Sequence, residues 1–379
     1  MKVLHIITGL NTGGAERALY SVLAGGLTEK IENRIVSLSN LGTMGAPLQK
    51  LGVEVDALKM RKSITSLSSI RKLQSIINKY QPDVVQGWMY HGNIAASLSR
   101  ILSPRNPEIS WNIRHSLHDV AREKRTTRYA IQANRWLSPR ADAIIYNSKV
   151  SLEQHEAFGL SSKQSCVIPN GFDTNQLKPN PKNRNTVRLE LGLNLDALVV
   201  GHVARFHPMK NHEGFLNSAV EIIDNKPNVQ FLLIGRDVTL QHPALSGIIP
   251  KSLEPHFVFT DERSDISRLM SAMDTLCMSS SWGEAFPNVL AEAMAIGIPC
   301  VATDIGDSAW IIGKTGIVIE SANISALNDG LLAMLEKTPK DREELGRLAR
   351  QRVVSEYSID QTVDSYFDLY QNLLGTAHR

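Results

Sequence analysis

The sequence predicts an α/β chain made of two doubly wound, parallel-sheet domains. Short apolar runs such as VLHIIT and VQFLLIG alternate with amphipathic stretches, the pattern of parallel strands covered on both faces by helices. The alternation breaks once, at the polar, Pro- and Asn-rich FDTNQLKPNPKNRN, and then restarts. A length of 379 residues suits two domains, and 42% hydrophobic with 21% charged residues gives each a full core.

In the first part, VLHIIT is a buried strand and GGAERALYSVLAGGL a helix with apolar spacing. NRIVSLS, a short helix near PLQKLG, VEVDALK and a helix from about Ser63 to Lys79 follow. DVVQGW, a helix from Asn93, EISWNI, a basic helix near Lys124 to Leu137, DAIIYNS and CVIPN continue the alternation. FDTNQLKPNPKNRN is the expected linker. Beyond it come LVVGHVA, a helix from about Glu213 to Asp224, VQFLLIG, HFVFT, the DISRLMSAM helix, TLCMS, the PNVLAEAMA helix and PCVAT. The tail reads as helix throughout, in SALNDGLLAMLEK, DREELGRLARQRVVSEY and SIDQTVDSYFDLYQNLL. No repeat or low-complexity segment interrupts the pattern. Two such domains facing each other would gather both sets of strand ends around one cleft.

The net charge of +3 conceals an asymmetry. Through Asp173 there are 22 Lys and Arg against 13 Asp and Glu, leaving 19 against 25 for the remainder. Much of the basic excess lies around REKRTTRYAIQANRWLSPR, either a solvated helix face or a surface for an anionic membrane or substrate. No nucleic-acid-binding module accompanies it. Cys166, Cys277 and Cys300 are scattered, which suits buried thiols in a reducing compartment and neither a disulfide frame nor a metal site. No apolar run approaches the roughly 18 residues of a membrane-spanning helix, and the first apolar run reads as a strand, so a cytoplasmic location is expected.

The chemistry concentrates in Ser279 to Asp304, SSSWGEAFPNVLAEAMAIGIPCVATD. A strand runs into a loop holding Glu284, Pro287 opens a helix that carries Glu292 and closes at Gly297, and a strand follows. Two carboxylates eight residues apart thus straddle a helix N-terminus at the carboxyl end of a strand, where open α/β sheets bind ligands. VARFHPMKNHEG places Arg205 and Lys210 at another strand end: two cations suited to a diphosphate, or simply an exposed basic loop. TGLNTGGAER is not GxGxxG, yet Gly13 and Gly14 at a helix N-terminus allow close approach to an anion. His115 and His91 fall where first-domain strands open. TDERSDISRLM places Asp261 and Arg263 after a further strand, framing a base or phosphate or capping a helix through Ser264 and Asp265. No Asp-x-Asp pair, Gly-x-Ser-x-Gly elbow or GxxxxGK[ST] loop occurs, which argues against a metal-diphosphate site.

GGAER, VIPNGFD, ARFHPMKN, and EAFPNVLAEAM followed by GIPCVATD resemble, in this order, the motifs of family 4 of the retaining glycosyltransferases. The resemblance covers essentially the whole chain, and its most specific part is the Glu-x₇-Glu of Glu284 and Glu292 combined with Arg205 and Lys210. WNIRHS and GWMYHGN resemble a subgroup that builds bacterial cell-surface polysaccharides such as O-antigen or capsule. The resemblance implies the GT-B fold. Its N-terminal, acceptor-side domain would span 1–175 and be completed by 361–379, whose helix crosses back, and its donor-side domain would span 186–360.

It also implies roles. Glu292 would hold the ribose hydroxyls of a nucleotide-diphosphate sugar, UDP being the favoured nucleotide. Glu284, with backbone N–H groups around Phe286 to Asn288, would hold the sugar hydroxyls. Pro287 and Val289 lie in the same donor-binding segment. Arg205 and Lys210 would bind the diphosphate, Gly13 and Gly14 would approach it from the other domain, and Arg263 would join the donor side. His115 matches the family's first-domain histidine near the transferred sugar, with His91 and Arg114 toward the acceptor. No metal or cofactor is implied. The partners would be the donor, a lipid-linked glycan acceptor and an anionic membrane surface beside the basic first domain. Two departures stand out: Ala285 where the family often has glycine, and Asp307 where a second glycine often follows Gly306. Alternatives are a nucleotide-sugar epimerase on the same fold and a non-catalytic nucleotide-sugar-binding protein; a dehydrogenase lacks its glycine fingerprint.

Overall fold

A computed structural model describes residues 1–60, 67–321 and 323–377 and divides the chain into two units. Unit 1 comprises Met1–Gly171 with Ile359–Arg379, and unit 2 comprises Phe172–Ser358.

Unit 1 is built on β1 (Lys2–Ile7), β2 (Glu32–Ser37), β3 (Glu54–Ala57), β4 (Val84–Trp88), β5 (Glu108–Ile113), β6 (Ala143–Tyr146) and β7 (Gln164–Val167). These pair in parallel in the order β3-β2-β1-β4-β5-β6-β7. The connecting helices are α1 (Gly14–Val22), α2 (Thr28–Lys30), α3 (Gly45–Lys50), α4 (Leu67–Tyr80), α5 (Met89–Leu102), α6 (Arg125–Leu137) and α7 (Lys149–Phe158). Helices α4, α5 and α6 cover one face, where Ile76, Ala96 and Ile131 pack with Leu4, Val85 and Ile144. The other face buries Leu19 of α1 against Val3 and Ile145.

Unit 2 holds β8 (Leu198–Val203), β9 (Val229–Ile234), β10 (Phe257–Phe259), β11 (Thr275–Met278), β12 (Cys300–Thr303) and β13 (Ile317–Ile319). They too are parallel, in the order β10-β9-β8-β11-β12-β13. Its helices are α8 (Pro181–Glu190), α9 (His212–Asn225), α10 (Ile266–Met270), α11 (Asn288–Ala295), α12 (Ser308–Ile312), α13 (Ile324–Glu336) and α14 (Pro339–Glu356). The last helix, α15 (Ile359–Ala377), packs on unit 1, where Val363, Tyr366, Tyr370 and Leu373 fill the α1 face. Its hydroxyls serve polar groups inside the sheet: Tyr370 donates to Gln86 Oε1 at 3.1 Å, and Tyr366 accepts from Asn112 Nδ2 and, at 3.3 Å, from Arg114 Nη1.

Several elements differ from the sequence expectation. The expected linker is folded into unit 2, because Phe172 enters its core and α8 begins at Pro181. Fully buried Arg188 of α8 fastens that helix, bonding Asp274 Oδ2 at 2.8 Å and the carbonyls of Ala272, Leu195 and Ala197. The helix expected from Asn93 starts four residues earlier, at Met89, directly after β4. The first helix gives way at Leu23–Leu27 to a wider turn, where Gly26 has φ 115°. The helix expected near Ser63 is described from Leu67, and Ser63 lies outside the described residues. Ahead of the helical tail, Ile317–Ile319 forms an edge strand, β13, that the sequence expectation left unassigned because it is too short to show a period. All three cysteines are free thiols, with Cys277 and Cys300 buried.

Candidate active site

Parallel sheets present their catalytic loops at strand carboxyl ends, and the order of unit 2 sets β8 beside β11 and β11 beside β12. Strand order reverses between β8 and β11, the place where doubly wound sheets open a crevice. The loops after β8, β11 and β12 carry Arg205 with Lys210, Glu284, and Gly306 with Asp307.

The first two loops are locked together. Lys210 ends a short turn, Pro208–Lys210, and Asn211 then adopts a left-handed conformation (φ 52°) and caps α9 through Gly214 N. Ser281 N donates to Met209 O at 2.8 Å, and Ser279 Oγ donates to Lys210 O at 2.9 Å. The Ser279 hydroxyl in turn lies 3.0 Å from His202 Nε2. The outcome is an ion pair, Lys210 Nζ to Glu284 Oε1 at 2.5 Å, with Ser280 Oγ donating to the same carboxylate oxygen at 2.7 Å. Both partners are largely buried, the side chains being 20% and 10% exposed. Thr303 Oγ1 donates to Ser280 O at 2.6 Å and brings β12 into the same network.

Burial drives His202 well below its usual value, and the neighbouring His212 and Lys210 add to this, so its imidazole is neutral. His207 is lowered by desolvation and by the cations of Arg205 and Lys210, and its ring meets Trp282 edge-on at 5.9 Å. Arg205 is exposed and has no ion pair among the described residues.

The third loop shapes the same region. Gly306 has φ 61°, and a Cβ there would sit 2.6 Å from Ala285 O and 2.8 Å from Glu284 O. Asp307 N donates to Ala285 O at 2.9 Å, and the Asp307 residue is buried. Phe286 turns inward, packing on Phe172, Trp310 and Tyr357, so its side chain is core and only its backbone can face a ligand. Pro287 is the cap residue (φ −71°, ψ 96°) rather than the first helical residue, and α11 starts with Asn288 and Val289. Glu292 lies one turn into α11, half-buried.

Arg263 is not brought to the Lys210–Glu284 pair. Its guanidinium bonds Asp265 Oδ1 at 2.8 Å and Glu190 Oε1 at 3.3 Å, and Arg268 completes this network. Asp265 is drawn to about 2, chiefly by its hydrogen bond with Arg263. Asp265 therefore serves the arginines and makes no side-chain cap for α10.

In unit 1 the order reverses between β1 and β4, which places the Gly13–Gly14 turn and the start of α5 at neighbouring strand ends. Gly13 caps α1 in extended conformation, and a Cβ there would meet Glu16 Oε2 at 2.4 Å; Gly14 has open space. The Glu16 carboxyl thus lies over the turn, and desolvation raises its pKa. His115 Nε2 lies 2.8 Å from Glu123 Oε1, and its carbonyl accepts from Ser151 Oγ at 2.7 Å. His91 is exposed in the first turn of α5. Arg114 lies 5.9 Å from the Trp88 ring and reaches Tyr366, which ties it to α15. Sequence reasoning passed over Ser279, Ser280, His202 and Glu123. The SSS run preceding Glu284 was a usable signal, since hydroxyls beside a carboxylate are natural donors to it.

Two family models match. Residues 12–176 match "Glycosyltransferase Family 4" and residues 197–337 match "Glycosyl transferases group 1", together taking in most of the chain. The chain belongs to the family 4 glycosyltransferases. An Escherichia coli relative, UDP-Gal:alpha-D-GlcNAc-diphosphoundecaprenol alpha-1,3-galactosyltransferase, is 24% identical over 321 residues, 82% of this chain and 81% of its own. The lipopolysaccharide core biosynthesis mannosyltransferase LpsB of Rhizobium meliloti is 26% identical over 220 residues, 55% of this chain and 61% of its own. Among solved structures, Anabaena HepE in complex with UDP superposes with TM-score 0.82 at 21% identity, covering 98% of this chain and 100% of that one. The same protein has been solved with UDP-glucose. The likeness establishes the GT-B fold of this glycosyltransferase.

Proposed function

We propose that this glycosyltransferase moves a hexose or N-acetylhexosamine, with retention, from a UDP-sugar to a lipid-linked glycan in bacterial surface-polysaccharide synthesis. The observation that carries the reading is the Lys210–Glu284 pair, with Arg205 exposed on the same loop as Lys210. Breaking the anomeric C–O bond leaves negative charge on the departing diphosphate. Lys210 and Arg205 would stabilise that charge as fixed cations, so the chemistry needs no metal. Glu284, positioned by Ser280, would accept hydrogen bonds from the sugar hydroxyls, and Glu292 would do the same for the ribose. Retention follows from same-face attack in which a leaving phosphate oxygen takes the acceptor's proton, and no protein nucleophile is assigned. A donor role for Arg263 would require it to exchange Asp265 and Glu190 for phosphate. In unit 1, the Gly13–Gly14 turn would approach the donor diphosphate, His115, held by Glu123, would stand near the transferred sugar, and His91 and Arg114 would face the acceptor.

Names of relatives support the substrates: HepE was solved with UDP and UDP-glucose, and the E. coli relative is named for a UDP-Gal donor and a diphosphoundecaprenol-linked acceptor. A lipid-linked acceptor would place the chain at an anionic membrane surface through its basic first unit. A thermal-shift panel of UDP, GDP, UDP-sugars and GDP-mannose tests the donor, since a ligand stabilises the folded state by RT ln(1 + [L]/Kd). UDP and a UDP-sugar are expected to raise Tm, and Lys210→Ala to remove most of the rise. A response to GDP alone would overturn the choice of nucleotide.

A further inference from the structure

Behind His115, a chain of buried polar side chains links α5, α7 and the segment after β5. Tyr90 of α5 is 2% exposed, and Ser151 and His155 of α7 are fully buried. The Tyr90 hydroxyl lies 2.8 Å from His155 Nε2, and His155 Nδ1 lies 2.7 Å from Ser151 O. Ser151 Oγ donates to His115 O at 2.7 Å. A carbonyl can only accept, so the hydrogen of His155 is on Nδ1. Burial pushes His155 down to about 4, which leaves the ring neutral and makes Nε2 the acceptor of the Tyr90 O–H. Nδ1 is also 3.4 Å from Ser151 Oγ, a longer approach than the one it makes to the carbonyl. Each of the three hydrogens thus has one place to go, and the last of them goes to the backbone of His115.

His115 is held from its other sides as well. The Tyr90 ring meets the His115 ring edge-on at 6.4 Å, and Glu123 Oε1 lies 2.8 Å from His115 Nε2. Arg114 N donates to Met89 Sδ at 3.4 Å, and Met89 takes a left-handed φ of 62°, which strains a residue other than glycine. Asn134 of α6 donates to Tyr90 O at 2.9 Å. The start of α5, with His91, and the end of β5, followed by Arg114 and His115, are therefore fixed to each other. Apolar side chains of the same shape would fill this space about as stably, because a buried hydrogen bond contributes little net stability. What a directional chain adds is one set position for the His115 backbone.

Resting on the reading that His115 stands near the transferred sugar, we propose that Tyr90, His155 and Ser151 are positioning residues for the transfer step. None of them reaches a substrate, since all three are buried. They act through the His115 backbone, while Glu123 orients its ring. A side chain misplaced by about 1 Å at a reacting centre can cost on the order of 10²-fold in rate, so the relay governs turnover and leaves donor binding alone. All its members belong to unit 1, whereas Lys210 and Glu284 belong to unit 2.

The test compares the full chain with Ser151→Ala, Tyr90→Phe and His115→Ala, and with each of the first two combined with the third. UDP release is measured from UDP-hexoses and UDP-N-acetylhexosamines with a polyprenyl-diphosphate-linked glycan. Ser151→Ala is expected to lower kcat about tenfold and Tyr90→Phe about threefold. UDP-induced thermal shifts should match the parent's in both, which shows that they fold and separates turnover from donor binding. On top of His115→Ala, neither change should lower kcat further, because the relay works through that residue. Imidazole nitrogen spectra should show His155 neutral with its hydrogen on Nδ1. Undiminished kcat in the folded variants, losses that multiply with those of His115→Ala, or a hydrogen on His155 Nε2 would overturn the inference. A parent chain without turnover, or His115→Ala turning over like the parent, would instead remove the reading on which it rests, and the inference with it.

Discussion

Lys210 Nζ lies 2.5 Å from Glu284 Oε1, joining the loop after β8 to the loop after β11 across two hydrogen-bonded strands. Neither charge is free to wander, since Ser279 holds the Lys210 carbonyl and Ser280 holds the Glu284 carboxylate. The pair fixes where a cation and an anion stand before any ligand arrives, and under the proposed function such preorganisation would act on the departing diphosphate.

Removing one member leaves the other poorly satisfied. Lys210→Ala is expected to cost about 1–3 kcal/mol of stability, because Glu284 then keeps Ser280 as its side-chain donor in a largely buried place. Lys210→Ala with Glu284→Ala should cost less than the sum of the two single changes. Urea unfolding of the four chains measures this coupling, and strictly additive losses would show the pair to be energetically idle.

Gly306→Ala is expected to damage the site from a position that has no side chain of its own. The residue has φ 61°, and the added methyl would meet the carbonyl oxygens of Glu284 and Ala285 well inside contact distance. The strain, about 1–3 kcal/mol, must be relieved by moving the Glu284 backbone. Transfer should fall more than stability does, as read by UDP release alongside thermal melting.

Acid should destabilise the fold through histidines kept neutral. His5, His155 and His212 are each pushed down to about 4, and His202 is also held well below its usual value, in every case chiefly by burial. Their unfolded counterparts take up protons below about 6.5. Stability is therefore complete above that pH and is lost as pH falls toward 4, at up to about 1.4 kcal/mol per pH unit for each histidine. Glu108 has the opposite sign. Burial, followed by Asp142, raises it to about 7, so its contribution is full below about 4.5 and lost as pH rises through 7. Melting curves from pH 5 to 8 should show a steep acid limb, and Glu108→Gln should improve only the neutral-to-alkaline side.

Much of this architecture was legible because parallel strands are buried on both faces and read as unbroken apolar runs, as VLHIIT, VQFLLIG and TLCMS did. Glu284 and Lys210 were legible as charged residues at strand ends, though nothing in their spacing shows that they touch. The misreadings have physical causes. Pro, Asn and Lys made 172–185 look like a linker, yet Arg188, just beyond that stretch, fastens α8 within unit 2 through five partners. Arg263 was legible as a cation after a strand, while its partner Glu190 was not, because it lies on a distant segment and takes part of the guanidinium. Gln86 and Asn112, polar residues within strands, find their donors and acceptors on α15, more than 250 residues away, a pairing only the fold reveals.

The central claim is tested most directly by UDP release from UDP-hexoses and UDP-N-acetylhexosamines, with and without a polyprenyl-diphosphate-linked glycan, in the parent chain and in Glu284→Ala. Release from one donor should depend on the lipid-linked acceptor and fall about 10²–10³-fold in Glu284→Ala, which should melt as a folded protein. Acceptor-independent turnover, or undiminished release by Glu284→Ala, would contradict it.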